Sequence, residues 1–247
     1  MLQNYTADLH IHTCLSPCGE LEMSPVNIVD RAHNVGLDII AICDHNSAEN
    51  TEAVIDAAAN TDLAVIPGME ITSSEEVHIL GLFPNLESAK EAQKTVYRNL
   101  HGKNDESFFG QQVVANGRDE VIGFNDKLLI GPTTMTVSEV VSLIHENDGI
   151  AVAAHVDRES YSITGKLGFI PDDLDIDAAE LSVKAERGIT VKTFPSNIEL
   201  PVIRSSDAHQ LDQVGAVHTN FYIAQTTLDE INLAFDEFGG RRIITDE

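Results

Sequence analysis

Basic residues are scarce: 15 Lys and Arg stand against 40 Asp and Glu, a formal net charge of −25. A surface so charged repels a polyanion over most of its area, so no extensive nucleic-acid surface is expected. Bound divalent cations would offset part of that charge, because clustered buried carboxylates are costly without a counter-ion. No apolar run reaches 18 residues, and the opening MLQNYTADLH lacks the basic and apolar parts of a secretory signal. A cytoplasmic protein without a membrane partner is the expectation. Cysteine is sparse as well. Cys14, Cys18 and Cys43 make an odd number, which argues against a disulfide framework, and Cys14 and Cys43 read as small buried apolar groups.

What is present suffices for a core. With 43% hydrophobic residues, 247 residues can fill a barrel, and one domain over residues 1–247 is expected. Short apolar runs alternate with amphipathic stretches: ADLHIH, PVNIVDRAHNVG, LDIIAICDH, AENTEAVIDAAAN and LAVIPGMEIT form a β-α-β-α-β rhythm. Ser24 before Pro25 reads as a helix start, and Gly36 stands where that helix should stop. A parallel sheet with crossover helices follows. EEVHILGLF reads as a further strand and ESAKEAQKTVYRNLHG as a helix. Between 103 and 132, Gly and Asn punctuate short apolar runs, which suggests a small β-rich insertion or lid. The alternation then resumes, with strands at IAVAAH, DAAELSV and ELPVIRSSDAH and helices at TVSEVVSLIHENDG and TTLDEINLAFDEFGG. Seven or so strands fit a closed or distorted (β/α) barrel better than an open sheet.

His10 and His12 end the first strand, and residues two apart on a strand share a face, so both imidazoles can reach one cation. One such pair proves little. Asp207 and His209 repeat the spacing after another apolar strand, and Asp44-His45, Glu70, His78 and His155 stand at or near the ends of the strands between. Imidazole nitrogen and carboxylate oxygen suit zinc, manganese or iron, and so many candidates exceed what one tetrahedral ion needs. At least two metals are implied, with a carboxylate such as Glu70 suited to bridge them.

In these motifs the sequence resembles the PHP family, named for bacterial DNA polymerases and histidinol phosphatase. DLHIHT, ICDHN, GMEI, VHILG, AAHVDR and SSDAH stand in the family's order. The resemblance implies a distorted (β/α)7 barrel with a multinuclear metal site. It implies further that His10, His12, Glu70 and Asp207 surround one metal, and that Glu70, His78 and His155 surround a second. A third would take His45, His209 and a residue of the loop after the first strand, here Cys18, where some members carry a histidine or an acid. A thiolate there would favour zinc or iron over manganese. Asp8 and Asp44 are expected to orient histidine ligands, or in the case of Asp44 to lie close to the metals in a catalytic role.

The expected chemistry is hydrolysis of phosphoesters by a metal-bridging hydroxide, the metals neutralising charge on the phosphoryl oxygens and the leaving alkoxide. Arg158, three residues past His155, is the expected phosphate clamp, with Arg204 a weaker second choice. A small phosphorylated metabolite or nucleotide is the favoured substrate. The rival readings are an amidohydrolase acting on C–N bonds, an exonuclease acting on short nucleic-acid ends, and a non-catalytic PHP module. Nothing in the sequence sets an oligomeric state.

Overall fold

The computed structural model of the protein describes residues 1–186 and 188–244. Seven strands curl round a common interior: β1 Gln3–Ile11, β2 Ile39–Ile42, β3 Ala64–Thr72, β4 His78–Leu82, β5 Ile150–Ala153, β6 Ala178–Leu181 and β7 Val202–Arg204. Neighbours pair in that order. The ring closes just past β7. There Ala208 forms a parallel bridge with Ile11, His12 N donates to the Ala208 carbonyl at 3.0 Å, and Ala208 N donates to the His10 carbonyl at 3.3 Å. Asp8 reinforces the seam by accepting from Ser206 N at 3.0 Å and Gly215 N at 2.9 Å. This is the distorted (β/α)7 barrel that the motif pattern implies. Strands Thr219–Ile223 and Arg242–Ile244 extend the sheet antiparallel from the first half of β1.

The sheet departs from the expected parallel order at β4, which pairs antiparallel with both β3 and β5. The reason is length. Only residues 73 to 77 separate β3 from β4, far short of the dozen or so that a crossover requires, so the chain can only fold back. Ser73 N donates to the Val77 carbonyl across this turn, and Glu76 takes φ +59° within it. The reversal brings the start of β4 to the same barrel end as the finish of β3.

Alternation then sorts the side chains. Ile39, Ala41, Ile66, Leu80, Leu82, Ile150, Val152, Ala178 and Ile203 form one buried cluster. The intervening positions Met69, Ile71, Ile79, Ala151 and Ala179 pack with helices Leu86–Asn99 and Val137–Glu146. Each large aliphatic side chain so buried contributes about 1.5–3 kcal/mol. Following one strand face upward, Ile66 leads through Gly68 to Glu70, and Leu82 leads through Leu80 to His78. Apolar positions therefore give way to ligand types at one end of a common face. Gly68 is required there, because a Cβ would meet Cys43 Sγ at 2.8 Å and the Gly81 carbonyl at 3.2 Å.

Local signals mostly hold. Pro25 opens helix Pro25–Asn34 and Gly36, at φ +78°, follows its end, but Ser24 does not cap it with its own side chain. Asp119 does so instead, accepting from Val26 N at 2.9 Å and Ser24 Oγ at 2.7 Å. Asp119 belongs to the insertion, which consists of one helical turn, Glu106–Phe109, and an antiparallel pair, Val113–Ala115 with Val121–Phe124. The expected strand over ELPVIR is split. Glu199–Leu200 pairs with Val191–Phe194 in a separate small sheet, whereas Val202–Arg204 joins the barrel; Pro201 between them has no N–H to offer either. Among the described residues no helix is long and apolar enough to cross a membrane.

Candidate metal centre

Glu70 is the hub of the barrel mouth. Its Oε1 lies 2.7 Å from His78 Nδ1, 3.1 Å from His155 Nε2 and 3.6 Å from His10 Nε2. Its Oε2 lies 3.0 Å from His45 Nδ1 and 3.4 Å from His12 Nε2. Five histidines from four segments thus face one buried carboxylate. Asp207, just past β7 and held at φ +50°, places Oδ1 3.2 Å from His12 Nε2 and 3.4 Å from His10 Nε2. His155 is likewise at positive φ, +32°. Strained backbone of this kind persists where the surrounding structure fixes it, and it gathers at functional sites.

The protonation pattern tests whether these residues fit a cation. His10 Nδ1 donates to Glu180 Oε2 at 3.0 Å, which leaves a lone pair on Nε2. Ser16 Oγ donates to Asp44 Oδ1 at 2.7 Å, so it accepts from His12 Nδ1 at 3.0 Å, and His12 Nε2 also keeps its lone pair. These two Nε2 atoms stand 3.1 Å apart. Two such nitrogens face each other only with a proton or a metal ion between them, and ligands about 2.1 Å from a shared tetrahedral centre lie roughly 3.4 Å apart. The donor spacing matches. His45 Nδ1 and His155 Nδ1 are buried without a hydrogen-bond partner.

Three sets of ligand atoms fall within 4.8 Å of one another: His10, His12 and Glu70; His45, Glu70 and His78; and His12, Cys18, His45 and His209. The second set differs from the one expected, since His45 approaches Glu70 as closely as the third-site residues, while His155 joins through its own contact with Glu70 Oε1. In the third set His209 Nδ1 donates to the Asp207 carbonyl at 2.8 Å, which frees Nε2. Its ring stacks on His12 with centroids 4.2 Å apart. Cys18 is exposed, whereas Cys14 and Cys43 are buried as expected.

Charge at the mouth is strongly coupled. Burial pushes the Glu70 carboxyl up, yet His78, His10 and His45 together hold it well below the usual carboxylate range. Burial acts the same way on Asp207 and is outweighed by His10 and His12. His10 is pulled down by burial but driven well above its ordinary value by Glu180, Asp207 and Glu70. His12 goes the other way, lowered by burial and by His209. The Cys18 thiol, raised by burial, is brought down to about 7 by His45 and His209. His45, pulled down by burial, is likewise raised, chiefly by Glu70 and Cys18, so without a metal the carboxylates hold protons on His10 and His45, and a divalent ion would bind there by displacing them.

Asp44 does not reach the ring atoms of this cluster. Its oxygens accept from Thr13 N at 2.7 Å, Thr13 Oγ1 at 2.8 Å and Ser16 Oγ, so it acts on His12 through Ser16 and organises the loop after β1. Asp8 serves the barrel seam and touches no histidine ring; burial lifts its carboxyl to about 6 against the pull of the Ser206 and Gly215 donors. Arg158 stands at the mouth, 39% exposed, with Nη1 2.7 Å from Asp207 Oδ2. Arg204 turns away to the carbonyls of Ser182 and Ala185. Glu180, which the motifs did not single out, orients His10 and also accepts from His155 N at 3.1 Å. Its signal was available, since the acid in AAEL ends a buried strand as Glu70 does in GMEI.

A nearly closed barrel whose mouth gathers histidines round one buried carboxylate is the frame of a metal-dependent hydrolase. The chain belongs to the PHP domain family, whose model matches residues 8–164. It is 23% identical over 199 residues to a 5'-3' exoribonuclease of Haemophilus influenzae, covering 64% of this chain and 71% of that one. Its fold is similar to that of a lesion-specific endonuclease from Pyrococcus furiosus, with a TM-score of 0.69 and 18% identity over 98% of this chain. A structure of endonuclease Q with a 27-mer duplex carrying an abasic lesion matches with the same TM-score and identity over 97% of this chain. The chain spans 58% of the length of either endonuclease.

These relatives correct one expectation. The absence of an extensive nucleic-acid surface was inferred from net charge, yet the relatives are nucleases, one of them solved on duplex DNA. The physical error lies in summing. A formal charge of −25 counts buried carboxyl side chains such as those of Glu70 and Asp207 equally with those facing solvent, whereas a phosphate responds to the local field where it binds and not to the sum.

Proposed function

We propose that this protein hydrolyses phosphoester bonds of nucleotides and of nucleic-acid ends at the barrel mouth. The convergence of His10 and His12, their Nε2 atoms 3.1 Å apart, on Glu70 and Asp207 carries this reading, because imidazoles and carboxylates so gathered form a ligand set for a divalent ion. His10, His12, Glu70 and Asp207 would hold one ion, Glu70, His78 and His155 a second, and His45, His209 and Cys18 a third. Zinc, manganese or iron bound there would polarise the phosphoryl oxygens and make a water acidic enough to attack phosphorus near neutral pH. Glu180 and the Ser16–Asp44 pair fix the tautomers of His10 and His12 so that both present Nε2 inward. Arg158 would anchor a non-bridging phosphate oxygen at the rim, its guanidinium already drawn inward by Asp207. The similarity to an exoribonuclease supports a nucleotide-type substrate over a C–N bond.

The test is turnover by metal-stripped protein resupplied separately with zinc, manganese and iron. Substrates are nucleoside monophosphates, glycerol phosphate, 5'-phosphorylated RNA and DNA oligonucleotides, and cyclic amides. Phosphoester cleavage that is lost on chelation and returns with a metal is expected. Metal-loaded protein that cleaves no phosphoester would refute the proposal, as would full activity after stripping.

A further inference from the structure

Tyr161 lies on the loop between β5 and helix Ile163–Leu167, three residues beyond Arg158. Its ring stacks on His78, with centroids 4.7 Å apart and planes 22° from parallel, and its carbonyl accepts from His78 N at 2.8 Å. His78 is buried against Glu70, whereas Tyr161 remains 43% exposed. A large aromatic side chain is therefore held at the edge of the candidate metal centre with much of its surface in water.

The backbone is strained to put it there. Tyr161 takes φ +58°, a conformation that a residue with a bulky side chain rarely adopts unless its surroundings fix it. The surroundings do so on both sides: Ser162 Oγ accepts from Gly165 N and caps the following helix, and Arg158 N donates to the His155 carbonyl. Lys166 Nζ lies over the Tyr161 ring, 5.7 Å from its centre, and pairs with Glu76, so a flat group stacking on that face displaces this long side chain toward Glu76. One short loop thus carries a guanidinium suited to phosphate and an aromatic ring suited to a flat organic group.

We infer that Tyr161 is a specificity residue whose ring stacks against the base of a nucleoside phosphoester while the phosphate is held by Arg158 and the metal cluster. The inference rests on the proposed phosphoesterase activity of the same site. Stacking between a base and an aromatic side chain is tolerant of base identity, so this contact selects nucleotides over aliphatic phosphoesters without selecting one nucleobase.

The full-length, manganese-loaded protein and its Tyr161→Ala and Tyr161→Phe variants are assayed on adenosine monophosphate, uridine monophosphate and glycerol phosphate. For Tyr161→Ala, the ratio of kcat/KM on either nucleotide to that on glycerol phosphate is expected to fall about tenfold, chiefly through KM. Tyr161→Phe, which keeps the ring, should restore the ratio. Metal content is measured on each variant. An equal loss on all three substrates, or a loss that follows metal content, makes Tyr161 a support for His78 only and overturns the inference. An unchanged ratio, or a wild-type preference for glycerol phosphate, overturns it while leaving the phosphoesterase reading intact. Wild-type protein that binds manganese and cleaves none of the three, nor any oligonucleotide, refutes that underlying reading and with it this inference.

Discussion

Glu180 Oε2 lies 3.0 Å from His10 Nδ1 and 3.1 Å from the backbone nitrogen of His155, so one oxygen fixes two metal-type histidines on different strands. Carboxylates that take the outer N–H of a liganding imidazole raise its basicity and hold its plane. Glu180→Ala should weaken metal binding about 10- to 100-fold, measured by competition with a chelator, and Glu180→Gln should weaken it less because an acceptor oxygen remains. Metal affinity unchanged in both variants would remove Glu180 from the site.

Cys18 and the three histidines grouped with it make a separate forecast. Its sulfur groups with His12, His45 and His209, and its thiol is brought down to about 7. Cys18→Ser should release one metal per chain and abolish the thiolate-to-metal absorption of the cobalt-substituted protein. An unchanged metal count with an unchanged spectrum would show that the thiol is not a ligand.

Metal removal should also destabilise the fold. Without metal ions, the mouth holds the side chains of Glu70 and Asp207 buried among five histidines with only protons to balance them, and His155 Nδ1 stays buried without a partner. At a free metal concentration a hundredfold above Kd, binding contributes about 2.7 kcal/mol. Calorimetry should then register a Tm lower by roughly 5–10 °C in the stripped protein. Identical melting curves with and without metal would be incompatible with a structural role for the ions.

Acid sensitivity is expected from a pair far from the site. Glu230 takes two hydrogen bonds of 2.7 Å from Arg241 and another from Ala224 N, and the Arg241 contact holds its carboxyl below the ordinary value of 4.5. A lowered folded-state value means that the contribution is complete above pH 4.5 and disappears as pH falls through that lowered value. Glu230→Gln should therefore be less stable than wild type at pH 7, and the urea midpoints of the two should converge in acid. A gap that persists at low pH would assign the loss to packing instead of charge.

How much of this was legible beforehand varied with the kind of signal. His10 and Glu70 announce themselves because alternation on a strand places each on a predictable face, and His12 and Asp207 because they stand just past strand ends in the repeated two-apart spacing of HxH and DxH. The direction of β4 was hidden, since alternation carries no sense of up or down; only the five-residue link encodes the reversal. Glu180 was passed over because a single acid at a strand end has no companion at fixed spacing. Asp119 as the cap of helix Pro25–Asn34 depends on a fold that joins residues 95 apart, which no local pattern contains. Tyr161 reads as an ordinary loop tyrosine until its neighbour His78 is seen beneath it.

The barrel seam has a consequence for how the protein comes into being. Its Asp8–Ser206 bond joins residues 198 positions apart, and the same join delivers Asp207 to His10 and His12. During synthesis, the first strand must therefore wait, its histidines open to water and to any stray ion, until more than four-fifths of the chain has emerged. Closure of such distant contacts is slow. The candidate centre is therefore the last part of the barrel to be assembled, although all but one of the residues round Glu70 are made in the first two-thirds of the chain.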